Sequence, residues 1–188
     1  MHDFLLETVR LRLRLFREDD LDALLRCRSD ERVARFQLWD PFTADDAKNF
    51  INVWKEIPPG TPGSWSAIAI QLKKTCEVIG DCALKVENGE NLQGEIGFNL
   101  SPVHQGRGYA TEACRSLLEY AFRELKLHRI IAVMDADNKD AIALCERVGM
   151  RREAYYKQNT WYKNHWGDEV VFAILQKEFL AANESGII

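Results

Sequence analysis

The segment from Gly94 to Ala113 constrains the fold of this chain most, because a β-strand pattern there runs through a glycine-bearing loop directly into an amphipathic helix. One face of that helix is apolar and is formed by Ala110, Ala113, Leu117, Leu118, Ala121 and Leu125. Backbone N–H groups at the start of a helix lack intrahelical partners, and the helix dipole favours an anion beside them. Gly106 and Gly108 place no side chain between a phosphate and those groups. The segment therefore predicts a pyrophosphate-binding turn.

Two common nucleotide-binding turns do not match this loop. A P-loop requires Gly-Lys followed by Ser or Thr, whereas the chain has Arg107-Gly108-Tyr109. A Rossmann turn requires a third glycine where Thr111 stands, and it belongs to a βαβ unit rather than to a series of strands. Glycines before a helix also occur in loops that bind no ligand, so the glycine pair by itself leaves both interpretations open.

The order of the other elements predicts the fold class. Residues 65–72, 77–85 and 94–100 read as three strands of an antiparallel meander, with the hairpin dipeptide Asn88-Gly89 before the last of them. Further strands are predicted at residues 9–16, 129–134, 153–158 and 168–175, and helices at Asp19, at Thr43, after the glycine loop and before Gly149. We expect one α/β domain over residues 1–188, with a mixed, mostly antiparallel sheet of about seven strands and about four flanking helices.

Composition excludes several functional classes. The formal net charge is −4, which argues against nucleic-acid binding, and no apolar run is long enough to cross a bilayer. The first residues lack a signal-peptide pattern, so we expect a cytoplasmic protein without membrane attachment. The five cysteines are scattered and form no C-x-x-C pair, which indicates reduced thiols and no metal site.

The loop resembles that of a known superfamily. Gln105-Gly106-Arg107-Gly108-Tyr109-Ala110 is similar at every fixed position to the Gln/Arg-x-x-Gly-x-Gly/Ala loop of the GNAT acetyltransferases. Three further stretches look like the RimJ/RimL branch, which acts on ribosomal-protein N-termini, and they contain Thr8-Val9-Arg10, Glu146-Arg147-Val148-Gly149 and Trp166-Gly167-Asp168. The resemblance extends over about residues 7 to 180 and implies the GNAT fold, in which the sheet is splayed at strands 4 and 5.

The resemblance also implies the transfer of an acetyl group to a primary amine. Acetyl-CoA would be the co-substrate, and no metal would take part. The amine would attack the thioester directly in a ternary complex. The expected acceptor is a protein N-terminal α-amine, with a small amine such as a polyamine or an antibiotic as the alternative. A third alternative is a catalytically silent module that binds acyl-CoA. The expected oligomeric state is a monomer or a homodimer.

By the same resemblance, a contiguous set of residues would bind acetyl-CoA. The amides of residues 106–111 would hold the pyrophosphate, residues 98–100 would pair with the pantetheine arm, and Asn138 would bond to pantetheine or water. The predicted set is Phe98, Asn99, Leu100, Gln105, Gly106, Arg107, Gly108, Tyr109, Ala110, Thr111 and Asn138. As an alternative, Asn138 is only the N-terminal cap of the following helix.

The predicted catalytic residues are Glu95, Asn138 and Cys145, and sequence patterns mark them less clearly than the loop. Glu95 matches the base of several GNAT enzymes, but a strand carboxylate in a salt bridge would look the same. Many relatives have a tyrosine seven residues after the asparagine, where Cys145 stands, and RimL-like ones have a serine at Ala141. Cys145 can protonate the leaving thiolate, or it can simply pack in the core; the other candidate acids are Tyr155, Tyr156 and Tyr162. The predicted substrate-binding residues are the aromatic side chains Phe36, Trp39, Trp65 and Trp166.

Overall fold

An eight-stranded sheet runs through the part of the chain that the structure describes. The structure is a computed structural model that describes residues 4–89 and 92–184; residues 1–3, 90–91 and 185–188 of the predicted domain lie outside the described residues. The strands are β1 (Leu5–Glu7), β2 (Leu11–Leu15), β3 (Trp65–Leu72), β4 (Val78–Val86), β5 (Gln93–Leu100), β6 (Arg129–Asp135), β7 (Arg151–Tyr162) and β8 (His165–Leu175). Their spatial order is β1-β2-β3-β4-β5-β6-β8-β7, and among the strands of the described residues only β5 and β6 pair in parallel.

Helices cover both faces of this sheet. They are α1 (Leu21–Arg28), α2 (Glu31–Ala34), α3 (Ala44–Trp54), α4 (Tyr109–Arg123), α5 (Lys139–Arg147) and α6 (Gln176–Glu184). Thr43 and Asp46 form a reciprocal capping box at the start of α3, and Gly149 has a φ of 84° just after α5. Both helix boundaries agree with the sequence prediction.

Two hydrophobic cores follow from the alternation of side chains along the central strands. Ile68 and Ile70 of β3 belong to the larger core, which they share with α4 and α5. Ala67 and Ala69 belong to a smaller core under α1 and α3. Because neighbouring residues of a strand face opposite sides of the sheet, the two helix layers lie on opposite faces.

The sheet opens between β5 and β6. These strands pair at only three positions, Gln93 with Arg129, Gly94 with Ile130 and Glu95 with Ile131. Both strands then continue, to Leu100 and Asp135, without further pairing to each other. The predicted GNAT fold with its splayed strands is thereby confirmed, and Glu95 lies where the splay begins.

The structure adds elements that the sequence pattern did not reveal. The strand β1 has only three residues, too few to show a period of two, and α2 has only four. The last hairpin is also longer than predicted, because it turns at Lys163 and Asn164, whose φ angles are 46° and 62°. Such two-residue turns usually contain glycine, so Lys163-Asn164 did not predict one here. In the described residues no helix is long and apolar enough to cross a membrane.

Candidate active site

A cavity of about 1900 Å³ lies at the splay between β5 and β6. Its lining extends from the glycine loop before α4, through the ends of β5 and β6, to the aromatic side chains of the segment between α2 and α3. The cavity brings together almost all of the predicted site residues. Of the predicted site residues, all of which are described, only Arg107 and Trp166 do not line the cavity.

The glycine loop has the backbone geometry that a phosphate turn needs. Gly106 and Gly108 have φ angles of 72° and 79°, which residues with a Cβ rarely adopt. A Cβ at Gly106 would meet nothing within 4 Å, so the space beside the loop is open. The Gln105 side-chain amide donates to the Leu100 carbonyl oxygen at 2.9 Å and ties the loop to the end of β5. The first amides of α4 are thus presented to the cavity.

A second contact fixes this loop from the opposite side. Glu112, in the first turn of α4, accepts hydrogen bonds from the Thr8 hydroxyl at 2.6 Å and from the Arg10 backbone N–H at 2.8 Å. The Arg10 guanidinium bonds to Glu112 at 2.6 Å and to the Arg107 carbonyl oxygen at 2.9 Å. Burial alone would raise the pKa of Glu112, but the hydrogen bonds from Thr8 and Arg10 outweigh burial and lower it. The turn between β1 and β2 therefore holds the glycine loop in place.

Glu95 carries an unpaired carboxylate at the start of the splay. Within residues 4–89 and 92–184 it forms no ion pair, because the cross-strand Lys85 bonds to Glu87 at 2.8 Å instead. Burial raises the pKa of Glu95, and the carboxylates of Glu87 and Glu169 act in the same direction, while Lys85 opposes them. A partly desolvated carboxylate that no cation pairs with directly is suited to accept a proton.

The other predicted catalytic groups have structural partners. The Asn138 side-chain oxygen accepts from the Ala141 N–H at 3.1 Å, so Asn138 does cap α5 while it also lines the cavity. Cys145 is 6% exposed, and burial raises the pKa of its thiol to about 12. Tyr162 donates to Asp135 at 2.5 Å, and burial together with this bond raises its pKa to about 12. A thiol or phenol with so high a pKa is a weak proton donor.

The floor of the cavity beside Glu95 consists of very small residues. Ala67, Ala83 and Gly97 lie side by side on β3, β4 and β5 and all line the cavity. A Cβ at Gly97 would meet nothing within 4 Å. We call this row the small-residue floor. It leaves room for a substrate between Glu95 and Asn99, which lie on the same face two positions either side of Gly97 along the strand.

Aromatic side chains border this floor. The predicted substrate-binding residues Phe36, Trp39 and Trp65 line the cavity. Trp166 instead packs against Trp161 on the last hairpin, with ring centroids 5.5 Å apart and 54% of its surface exposed. The structure thus places three of the four aromatic residues at the cavity and the fourth on the outside of the hairpin.

Sequence reasoning missed a buried polar network on the same face of the sheet, next to the floor. Arg28 of α1 pairs with Asp81 of β4 at 2.7 Å, and both side chains are buried. Asp81 also accepts from the Asn99 side-chain amide at 3.1 Å, which fixes the orientation of that amide. The guanidinium of Arg28 lies 4.2 Å from the ring centre of Phe50. Arg28 and Asp81 are 53 positions apart, so no local pattern could have paired them.

Comparisons with known proteins agree with this geometry. The family model described as "Acetyltransferase (GNAT) domain" matches residues 10–151. The uncharacterized N-acetyltransferase YnaD of Bacillus subtilis is 34% identical over 172 residues, which are 92% of this chain and 97% of YnaD.

Solved structures share the fold over nearly the whole chain. The crystal structure of a GNAT-family acetyltransferase from Bacillus anthracis superposes with a TM-score of 0.85 at 31% identity, covering 93% of this chain and 100% of that one. A Vibrio cholerae protein proposed to be a ribosomal-protein-serine acetyltransferase has a TM-score of 0.78 at 25% identity, covering 92% and 98%.

Proposed function

This chain belongs to the GNAT acetyltransferase family, and on that premise we propose that it acetylates the α-amine of a polypeptide N-terminus with acetyl-CoA in a ternary complex. N-acetyltransferase activity itself follows from the family. The observation that carries the choice of acceptor is the unpaired carboxylate of Glu95 beside an open floor. The likeness to the Vibrio cholerae protein supports the same acceptor.

The residues at the loop fit the donor. Acetyl-CoA, when bound, supplies the acetyl group as a thioester. The amides at residues 106–111 would bind its diphosphate, since the space beside the left-handed Gly106 is open and the Arg10 guanidinium lies beside Gly108. The edge of β5 that no longer pairs with β6 offers backbone groups at Phe98, Asn99 and Leu100 to the pantetheine arm. Asn138 and Cys145 line the same cavity.

Glu95 would accept the proton that the ammonium must lose. An α-amine with a pKa of about 7.8 costs roughly 1 kcal/mol to deprotonate at pH 7, whereas a lysine near 10.4 costs roughly 4.6 kcal/mol. A single carboxylate is a sufficient base for the α-amine. The amine nitrogen then forms a bond to the thioester carbon and the carbon–sulfur bond breaks; the nitrogen gives its second proton to solvent, and the leaving thiolate takes a proton from solvent. The high pKa of Cys145 supports a packing role for that residue.

A small cationic amine is the second candidate acceptor. Asp135 and Glu169 lie directly opposite each other on β6 and β8, and both line the cavity. Glu169 lies close enough to Glu95 to help raise its pKa, and the two carboxylates of Asp135 and Glu169 would attract a second positive charge on the acceptor. A polyamine carries such a charge, and so does a peptide with a basic residue near its N-terminus.

Thiol release from acetyl-CoA over a panel of amines tests the proposal. The panel contains peptides with a free α-amine, the same peptides acetylated at the α-amine but carrying a lysine, and a polyamine. We expect release with the free α-amines at neutral pH and little with the blocked peptides. Turnover with the polyamine alone would establish the second candidate. Tight binding of acetyl-CoA without turnover for every amine would instead indicate a catalytically silent module.

A further inference from the structure

Five arginines line the cavity, and their partners divide them into two groups. Three are paired with a carboxylate: Arg10 with Glu112 at 2.6 Å, Arg28 with Asp81 at 2.7 Å and Arg123 with Glu119 at 3.2 Å. The other two are Arg115 and Arg147, and neither has a carboxylate partner in the described part of the chain.

The two unpaired arginines are neighbours. Arg115 belongs to the second turn of α4, and its guanidinium donates to the backbone carbonyl oxygen of Arg147, at the end of α5, at 3.3 Å. The Arg147 guanidinium in turn donates to the Thr111 hydroxyl at 3.4 Å. The Nε of Arg115 is buried and has no acceptor among residues 4–89 and 92–184. We call Arg115 and Arg147 the arginine pair.

Such an arrangement is unfavourable without an anion. Two like charges on adjacent elements repel each other, and a buried donor without an acceptor loses its hydration without compensation. A phosphate would satisfy both requirements, because guanidinium groups bind phosphate oxygens in a bidentate manner and a phosphate monoester carries nearly two negative charges. The arginine pair therefore has the chemistry of a phosphate site.

Its position separates it from the diphosphate turn. The amides that would bind a diphosphate lie at the first turn of α4, around Gly108, whereas Arg115 follows Thr111 by four residues, about 6 Å further along the helix. The pantetheine arm would leave the turn in another direction, toward β5. A second, separate phosphate next to the turn matches CoA, whose ribose carries a 3′-phosphate apart from its diphosphate.

We propose that Arg115 and Arg147 bind the ribose 3′-phosphate of CoA and make this protein select the phosphorylated donor over 3′-dephospho-CoA. This inference rests on the proposed use of acetyl-CoA. Charge-assisted bonds from two guanidinium groups would favour CoA over its dephospho form about 10- to 100-fold.

Calorimetric titration of the full chain with CoA and with 3′-dephospho-CoA tests the proposal without an acceptor. For the wild type we expect CoA to bind at least about tenfold more tightly, and for Arg147→Gln and Arg115→Ala we expect this ratio to fall toward one. Because Arg147 is exposed, its replacement leaves the fold intact even if that of Arg115 does not. Arg123→Ala is the matched control, since Arg123 lines the same cavity but already pairs with Glu119.

The outcomes are distinct. Wild-type affinities within about twofold of each other would overturn the role of the arginine pair, and so would a wild-type ratio in Arg147→Gln. If Arg123→Ala reduced the ratio of the two affinities as much as the other variants do, the proposal would also be contradicted. The effect would then come from the total positive charge of the cavity rather than from the arginine pair. Failure of both CoA forms to bind would count against acetyl-CoA as the donor, which is the proposed function itself.

Discussion

The two halves of the cavity, the donor half proposed to bind acetyl-CoA and the acceptor half proposed to bind the amine, are built in different ways. The glycine loop and the start of α4 come from one continuous segment, residues 105–112, and act chiefly through backbone conformation. The acceptor half combines Glu95 on β5, Asp135 on β6, Tyr162 on β7 and Trp65 on β3. The backbone conformation of the glycine loop does not depend on the side chains of the acceptor half. Those side chains, which come from separate strands, can therefore be substituted without altering the loop. The difference suggests that the donor site is general and the acceptor site is specific.

The largest expected effect comes from filling the donor turn. Gly108→Trp should abolish binding of acetyl-CoA, because the new side chain occupies the turn and forces an L-residue to a φ of 79°. The backbone strain alone costs roughly 1–3 kcal/mol. Calorimetric titration with acetyl-CoA measures the loss. Gly89→Trp is the control, since Gly89 has a φ of 81° outside the cavity and should keep normal affinity. Retained affinity in Gly108→Trp would show that the donor does not bind at this turn.

Removal of the proposed base should have the next largest effect. Glu95→Gln should lower the rate at neutral pH by about 100-fold and move the pH–rate profile to higher pH, because the amine must then lose its proton unaided. Glu87→Gln is the control and should keep most of the rate, although it lowers the pKa of Glu95 and so moves the acidic limb to lower pH. An unchanged profile in Glu95→Gln would show that Glu95 is structural.

Glu95→Gln, which should lower the rate, should increase the stability of the fold at neutral pH. The pKa of Glu95 is raised in the folded state, so its stabilising contribution is complete below the ordinary value of 4.5 and is lost as the pH rises through the folded-state pKa. At pH 7 the ionised carboxylate is therefore unfavourable, and Glu95→Gln should raise the Tm there. A lower Tm at pH 7 would contradict the raised pKa.

A moderate effect is expected at the floor of the acceptor half. Gly97→Leu should raise the KM for the acceptor about tenfold, because the side chain extends into open space over the small-residue floor. The affinity for acetyl-CoA should stay the same, which calorimetry can verify, and Gly97→Ala should give a smaller change in KM. If Gly97→Leu weakened the binding of acetyl-CoA as well as of the acceptor, the division into a donor half and an acceptor half would be wrong.

The smallest effect is expected at Cys145. Cys145→Ala should keep kcat within about twofold, since the buried thiol with its pKa of about 12 is a poor donor of protons to a thiolate. The free energy of unfolding should fall by about 1 kcal/mol from the lost packing, as measured by urea denaturation. A large loss of rate would assign the acid role to this thiol.

Local patterns predicted much of the fold. The strands β3, β4, β5 and β6 lie within one residue of their predicted bounds at each end, and the predicted capping box at Thr43 is present. Strand alternation and helix capping could be predicted because each depends on residues close together in the sequence. The three-residue β1 and the turn at Lys163 were not predictable in this way. Their conformations depend on pairing with β2 and on the long hairpin, and neither has a distinctive residue type.

The sequence by itself determined the donor turn, since a positive φ at Gly106 and Gly108 and the start of a helix are local properties of consecutive residues. Only the tertiary structure decided what surrounds the turn. Thr8 meets Glu112 across 104 positions, and Tyr162 meets Asp135 across 27. Such contacts depend on how strands and helices pack. The raised pKa of Glu95, the high pKa of Cys145 and the exposure of Trp166 therefore could not be read from their neighbours in the chain.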